Sequence, residues 1–193
     1  MLTETTPVAA PAPQEATSED LDASSLERAF LARLTVHTRR DGTRVLSRRC
    51  REGPVPCEER VAAFARLLAA AAHATGLDPF LLGALAWRES GLNPAAVSRR
   101  GAAGILQLHP RGVGRGMRFV VDRDYRAACQ SEVEACQGPI VTRGAEALAG
   151  AIERCGSLRS ALGAYASGHC TERPRHIGRV LEEQETLRAL AEE

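Results

Sequence analysis

The sequence predicts an all-α domain of short, closely packed helices carrying one small N-terminal hairpin. Apolar residues make up 44% of the chain, much of them Ala and Leu, while aromatics are only 4%. That mixture suits helices in close contact rather than a β-sandwich. Apolar positions also recur at three- and four-residue spacing in segment after segment, bounded by Gly, Pro and Asp at the positions where helices start and stop. A length of 193 residues favours one domain plus a tail.

Residues 1–23 (MLTETTPVAAPAPQEATSEDLDA) read as a disordered linker or arm, being rich in Ala, Pro, Thr and acids. Residues 24–57 form an N-terminal extension. Its first part, Ser24 to Thr35, suits a helix through Leu26, Phe30, Leu31 and Leu34. Asp41-Gly42, flanked by Val36 and Val45-Leu46, is a hairpin turn signal. The stretch from Cys50 to Cys57, with Gly53, Pro54 and Pro56, reads as a loop.

Residues 58–193 form the main domain. Val61, Phe64, Leu68 and Ala72 share one face of a helix that Gly76 closes. Asp78 then caps a helix with Pro79 at its first position and Phe80, Leu81, Ala84 and Leu85 as the inward stripe. Gly91 and Asn93-Pro94 end it. Residues 110–116 are a Gly/Arg-rich loop, and 117–138 read as irregular. Further helices are expected over Gly144–Cys155, from the Ser157 cap through Tyr165, and over Arg175–Ala191, the last with Ile177, Val180, Leu181, Leu187 and Leu190 on one stripe. There is no internal repeat.

Lys+Arg and Asp+Glu number 25 and 24, so overall charge makes no case for nucleic acid or a membrane surface. The longest apolar run, near Val61 to Ala72, is broken by Arg66 and falls far short of the roughly 20 residues a membrane span needs. Residues 1–20 carry no apolar stretch of the kind an export signal requires. Six cysteines nevertheless suggest disulfides and an extracytoplasmic setting. Cys50/Cys57 and Cys129/Cys136 are equally spaced, and Cys155/Cys170 bracket a predicted helix. Sequence does not choose among the fifteen pairings, and buried reduced thiols are the alternative. With no CxxC and scattered histidines (His37, His73, His109, His169, His176), neither a metal nor a cofactor is implied.

Glu89, within Trp87-Arg88-Glu89-Ser90-Gly91-Leu92-Asn93-Pro94, is the candidate catalytic residue. A helix C-terminus carries partial negative charge, which disfavours an ionised carboxyl in its last turn. Burial beside Trp87 would add to this and keep the acid form near neutrality, as a general acid requires. A surface Glu at a helix end is the plain alternative. A dozen residues on, Gly101 and Gly104 permit close backbone approach to a ligand, and Gln107 offers both donor and acceptor.

At these residues the chain resembles the SLT-type lytic transglycosylases, which share the goose-type lysozyme fold. The Glu-Ser motif matches Glu89-Ser90-Gly-Leu-Asn93-Pro94. The G-x-x-G-L-M-Q motif matches Gly101-Ala-Ala-Gly104-Ile105-Leu106-Gln107, and the A-Y-N motif matches Ala164-Tyr165 with Ala166 in place of Asn. The resemblance spans roughly residues 58–170 and implies a lysozyme-like helical domain acting on peptidoglycan. It implies Glu89 as a single acid/base that cleaves the MurNAc-β-1,4-GlcNAc bond, after which the muramyl C6 hydroxyl closes a 1,6-anhydro ring. Ser90, Ala103, Gly104, Gln107 and Tyr165 would line the sugar site, Tyr165 also orienting Glu89. Cys170 would pair with Cys155 to pin the Tyr165 helix. An envelope or secretion-apparatus partner would meet the N-terminal region.

A hydrolytic muramidase is the nearest rival, and an inverting one needs a second carboxylate roughly 6.5–9.5 Å from the acid. His109 occupies the place where goose-type lysozymes tend to carry Asp, which leaves Asp122 and Asp124 as candidates, better read as solvated loop acids. A non-catalytic peptidoglycan-binding module is a second rival, supported by Ala166. The cluster Arg39, Arg40, Arg44, Arg48, Arg49 and Arg51 reads as a solvated face or a contact for anionic envelope polymers rather than a reader of bases.

Overall fold

The computed structural model describes residues 16–50, 53–172 and 174–193. The architecture is all-α, as the composition and periodicity predict. Helices α1 (Ser18–Leu34), α2 (Cys57–Thr75), α3 (Pro79–Ser90), α6 (Val133–Cys155), α7 (Leu158–Ser167) and α8 (Pro174–Glu192) surround one core. The short helices α4 (Arg118–Val121) and α5 (Arg123–Ala128) lead into α6 through a 3-10 turn. The small sheet pairs β1 (Thr35–Thr38) antiparallel with β2 (Arg44–Leu46) across the expected turn, where Gly42 has φ +85° and Asp41 accepts from the Thr43 N–H.

Two segments depart from the sequence reading. Residues 18–23 are helical, so α1 starts well before Ser24, because Thr17 and Asp20 form a reciprocal capping box. The rest of the expected arm, residues 1–15, lies outside the described residues, as does Arg51 of the Arg cluster. Residues 117–138 are largely helical rather than irregular. Gly138-Pro139 looks like a break, yet α6 continues through it. Val133, Cys136, Gln137, Ile140, Val141, Gly144, Ala145 and Leu148 form one buried stripe across it, and this burial outweighs the bond lost at proline.

The core explains why the chain is poor in aromatics. Ala63, Ala65, Ala69, Ala71 and Ala72 of α2 and Gly83 of α3 are buried among Leu26, Phe30, Phe64, Leu68, Leu82 and Leu85. A Cβ on Gly83 would lie 2.7 Å from Leu26 Cδ1, so the helices meet only because that side chain is missing. Helix α8 is held along its length. On α8, Glu183 accepts from Arg33 of α1 at 2.9 Å, and Gln184 (3.1 Å) and Arg188 both reach Asp78 at the start of α3. Disulfides join Cys50 to Cys57, Cys129 to Cys136 and Cys155 to Cys170, with Cα–Cα distances of 5.6, 5.8 and 5.4 Å.

The Cys155–Cys170 link draws the segment after α7 back across that helix. There the Thr171 carbonyl lies where a Cβ on Gly163 would stand, 1.7 Å away. Gly163→Ala is therefore expected to lose at least ~2 kcal/mol of unfolding free energy in urea titration. Gly150→Ala, in helix α6 with nothing within 4 Å of the new Cβ, is expected to gain about 0.5–1 kcal/mol.

Candidate active site

Glu89 lies in the last turn of α3. Asp78 starts this helix by accepting from the N–H groups of Phe80 (2.8 Å) and Leu81 (3.2 Å), and Pro79 occupies the first position. Gly91, at φ +62°, ends it by donating to the Trp87 carbonyl. Trp87 anchors the end of the helix. It stacks on Phe30 with 6.4 Å between centroids, and Arg33 and Arg49 approach its ring at 5.3 and 5.0 Å. With that face buried, the Glu89 side chain turns to the opposite side and is 21% exposed. Desolvation pushes its carboxyl up to about 7, against a smaller opposing pull from Arg88.

The backbone after Glu89 is tightly built. Leu92 (φ +60°) and Gln107 (φ +49°) are the non-glycine residues with left-handed backbone among the described residues, and they fall in the two motif segments. Asn93 accepts from the Ala95 N–H in an Asx turn. Ala103 exchanges both backbone hydrogen bonds with Leu108 and forms an isolated bridge to Val97, so the chain doubles back on itself twice between residues 97 and 108. The Gln107 amide donates to the carbonyls of Ala96 and Gly104, each at 2.9 Å.

These contacts revise the expected sugar site. Ala103 is fully buried and both its backbone polar groups are engaged, so it packs and offers a ligand no polar atom. Gly104 is buried too; its N–H goes to Ala96 and its carbonyl receives Gln107. A Cβ there would fall 2.9 Å from Ile140, so this glycine serves the approach of the loop to α6. Gln107 keeps only its acceptor oxygen for a ligand. Ser90 is half-buried and donates to the Ala86 carbonyl at 3.1 Å.

Tyr165 reaches the same place from α7. Its hydroxyl donates to the Leu106 carbonyl at 2.8 Å, and burial, with the nearby Glu89 carboxyl adding to it, pushes the phenol well above its usual range. Gly144 makes the junction possible, because a Cβ there would lie 2.5 Å from Leu106 Cδ1 and 3.2 Å from the Tyr165 hydroxyl. The structure thus gathers Glu89, Leu106 and Tyr165. Asp122 caps α5, accepting from Tyr125 N–H at 2.9 Å, and that bond holds its carboxyl low; Asp124 is exposed. His109 Nδ1 accepts from the Arg111 N–H. Surface concavities of about 440 Å³, between the hairpin and α2, and about 380 Å³, between Gly112–Arg115 and α6, are not lined by Glu89.

Two residues that the sequence reading passed over stand at this centre. Gln137, 1% exposed on α6, accepts from the Ile105 N–H at 3.0 Å and donates to the Pro94 carbonyl at 3.4 Å, tying both motif loops to one helix. A polar residue inside the α6 apolar stripe is its signal, hidden while residues 117–138 are read as irregular. His176 of α8 places Nε2 3.8 Å from Glu89 Oε1. Its signal is its place beside Ile177 at the start of an amphipathic helix.

Gln137→Leu strands a buried N–H, so a loss of about 1–3 kcal/mol in stability is expected, with faster hydrogen exchange at the Ile105 amide. Glu89 carries a raised folded-state pKa, so the folded chain holds its proton through the window from 4.5 to about 7 while the unfolded chain releases it. Its contribution to stability therefore falls as pH rises through that window, by up to ~3 kcal/mol. Glu89→Gln removes this loss. It should stabilise the protein at pH 8 by about 1–3 kcal/mol relative to its effect at pH 4, measured by urea unfolding at both.

The sequence that builds this site has counterparts among known proteins. The family model described as Transglycosylase SLT domain matches residues 66–179, which contain Glu89, the 101–110 loop, Gln137, Tyr165 and His176. Two curated relatives, each an endo-type membrane-bound lytic murein transglycosylase A from a strain of Klebsiella pneumoniae, are 51% identical over 45 residues. That stretch is 23% of this chain and 22% of each relative, so the chain spans only about a fifth of the length of the curated relatives it matches. No solved structure matches the chain. The family match covers more than half of the sequence and contains the whole Glu89 centre, and the chain belongs to the transglycosylase SLT domain family.

Proposed function

We propose that this chain is a peptidoglycan lytic transglycosylase that cleaves the MurNAc-β-1,4-GlcNAc bond with Glu89 as its single acid/base. The observation that carries this reading is the Glu89 carboxyl itself. It sits at a helix end, within the family match, and is desolvated enough to titrate near 7. A carboxyl poised there is protonated in a useful fraction of molecules at neutral pH and is still a competent base once it has given the proton up.

The cycle follows from those properties. Glu89 gives its proton to the glycosidic oxygen as the C1–O bond breaks, and the departing GlcNAc leaves with that proton. The carboxylate then takes the proton of the muramyl C6 hydroxyl while its oxygen bonds to C1, which closes the 1,6-anhydro ring and restores the acid. The substrate's acetamido group shares the positive charge at C1. Tyr165 fixes Leu106 and borders the carboxyl, the Gln107 oxygen and Ser90 contact sugar hydroxyls, and Gly104 supports the loop. The engagement of Asp122 as a helix cap favours this reading over hydrolysis, since it leaves that carboxylate poorly suited to activate water.

We read residues 58–193 as the catalytic domain and residues 24–57 as an extension able to meet an envelope partner. Three disulfides favour an extracytoplasmic setting. Among the described residues, no helix is long and apolar enough to cross a membrane. Mass spectrometry of muropeptides released from purified sacculi tests the function. Products ending in 1,6-anhydroMurNAc are expected, and Glu89→Gln, with the fold intact by circular dichroism, should slow their release at least about 100-fold. Reducing-end MurNAc without the anhydro sugar would establish a hydrolase instead, and glycan binding with no product released by the wild type would establish a binding module.

A further inference from the structure

We propose that His176 is the positioning residue for Glu89, donating from Nε2 to the Glu89 carboxylate during the half of the cycle in which that group acts as a base. The inference rests on the reading of Glu89 given above. Its first support is placement. His176 Nε2 is buried and faces Glu89 Oε1 at 3.8 Å, about 1 Å beyond hydrogen-bond length, a gap that small side-chain rotations close. Catalytic hydrogen bonds commonly tighten only when substrate is in place.

A second support is the register of α8 on α3. The two helices run antiparallel, with Gln184 and Arg188 on the Asp78 cap at one end and His176 on Glu89 at the other. Asp78 and Glu89 are 11 residues apart, and His176 and Arg188 are 12, so both pairs span roughly 17 Å of helix. A helix clamped at Asp78 in this register delivers residue 176 to the carboxyl.

The chemistry fits the need. A carboxyl shielded from water is well suited to be an acid but poorly supported once ionised, and a single directed N–H supplies that support without taking the proton. The charged and titratable groups whose electrostatics touch Glu89 are Arg88, next to it on α3, and Tyr165 on α7, whose hydroxyl goes to Leu106. From α8, His176 presents Nε2 to the Glu89 Oε1.

Asn and Gln separate this role from packing. The Asn amide nitrogen stands near the imidazole Nδ1 position, whereas that of Gln stands near Nε2. His176→Gln is therefore expected to keep kcat within about threefold, and His176→Asn to lower it about 10–100-fold with KM little changed. The Asn variant should also move the alkaline limb of kcat to higher pH, because losing the donor disfavours the carboxylate. Equal kcat for the two variants, the reverse order, or an unmoved alkaline limb would overturn the proposal. Carboxyl-carbon NMR titration of the substrate-free wild type reads the same contact without turnover. The His176 ring resonances should follow the Glu89 titration, and no response there also overturns it. If the ring follows Glu89 but no anhydro product forms, His176 stands and only the assigned function falls.

Discussion

Keeping a carboxyl out of water at the negative end of a helix is unfavourable, and much of this protein is arranged to do so at Glu89. Burial raises that group toward neutrality, and burial is supplied by elements far apart in sequence. Trp87, pinned by Phe30 and two arginines, fixes the last turn of α3 so that Glu89 must face the other way. Helix α7 brings Tyr165, and α8 brings His176. The cost in stability falls on one residue, while the polar clamps on Asp78 and Arg33 hold the helices that impose it.

The loop beside Glu89 shows a related economy. Its sharp turns require positive φ at Gly101, Gly104 and Gln107, and most backbone polar groups from Ala103 to Leu108 are engaged. Gln137 and Tyr165 complete that accounting from two helices. A loop tied down in this way holds the surface beside Glu89 in a set position. It does so at the expense of free donors, which is why Ala103 and Gly104 act as framework.

How far the sequence could be read varied with the range of the interaction. Asp78-Pro79 and Gly91 mark α3 through local capping chemistry, and the Asp41-Gly42 turn marks the hairpin in the same way. Thr17-Ser-Glu-Asp20 carried an equally local signal for the start of α1, masked by the polar composition around it. Reading residues 117–138 as irregular erred in the other direction, because the stripe that keeps α6 whole is apparent only when residues 133 and 148 are known to bury against the same core. Gln137 was lost with it.

Motif order was enough to single out Glu89, Tyr165 and the 101–107 loop, the first and last through runs whose backbone demands are written in Gly, Asn and Pro, and Tyr165 through the Ala164-Tyr165 pair. Sequence could not say which of the polar groups in those runs remain available to a ligand, since that depends on partners such as Ala96 and Gln137 that the chain brings in from elsewhere. Nor could it place His176 against Glu89. That contact arises from the antiparallel register of α8 on α3, decided by side chains at the far ends of both helices. Local capping and turn chemistry determined the elements; desolvation and register, which exist only between elements, decided what the carboxyl can do.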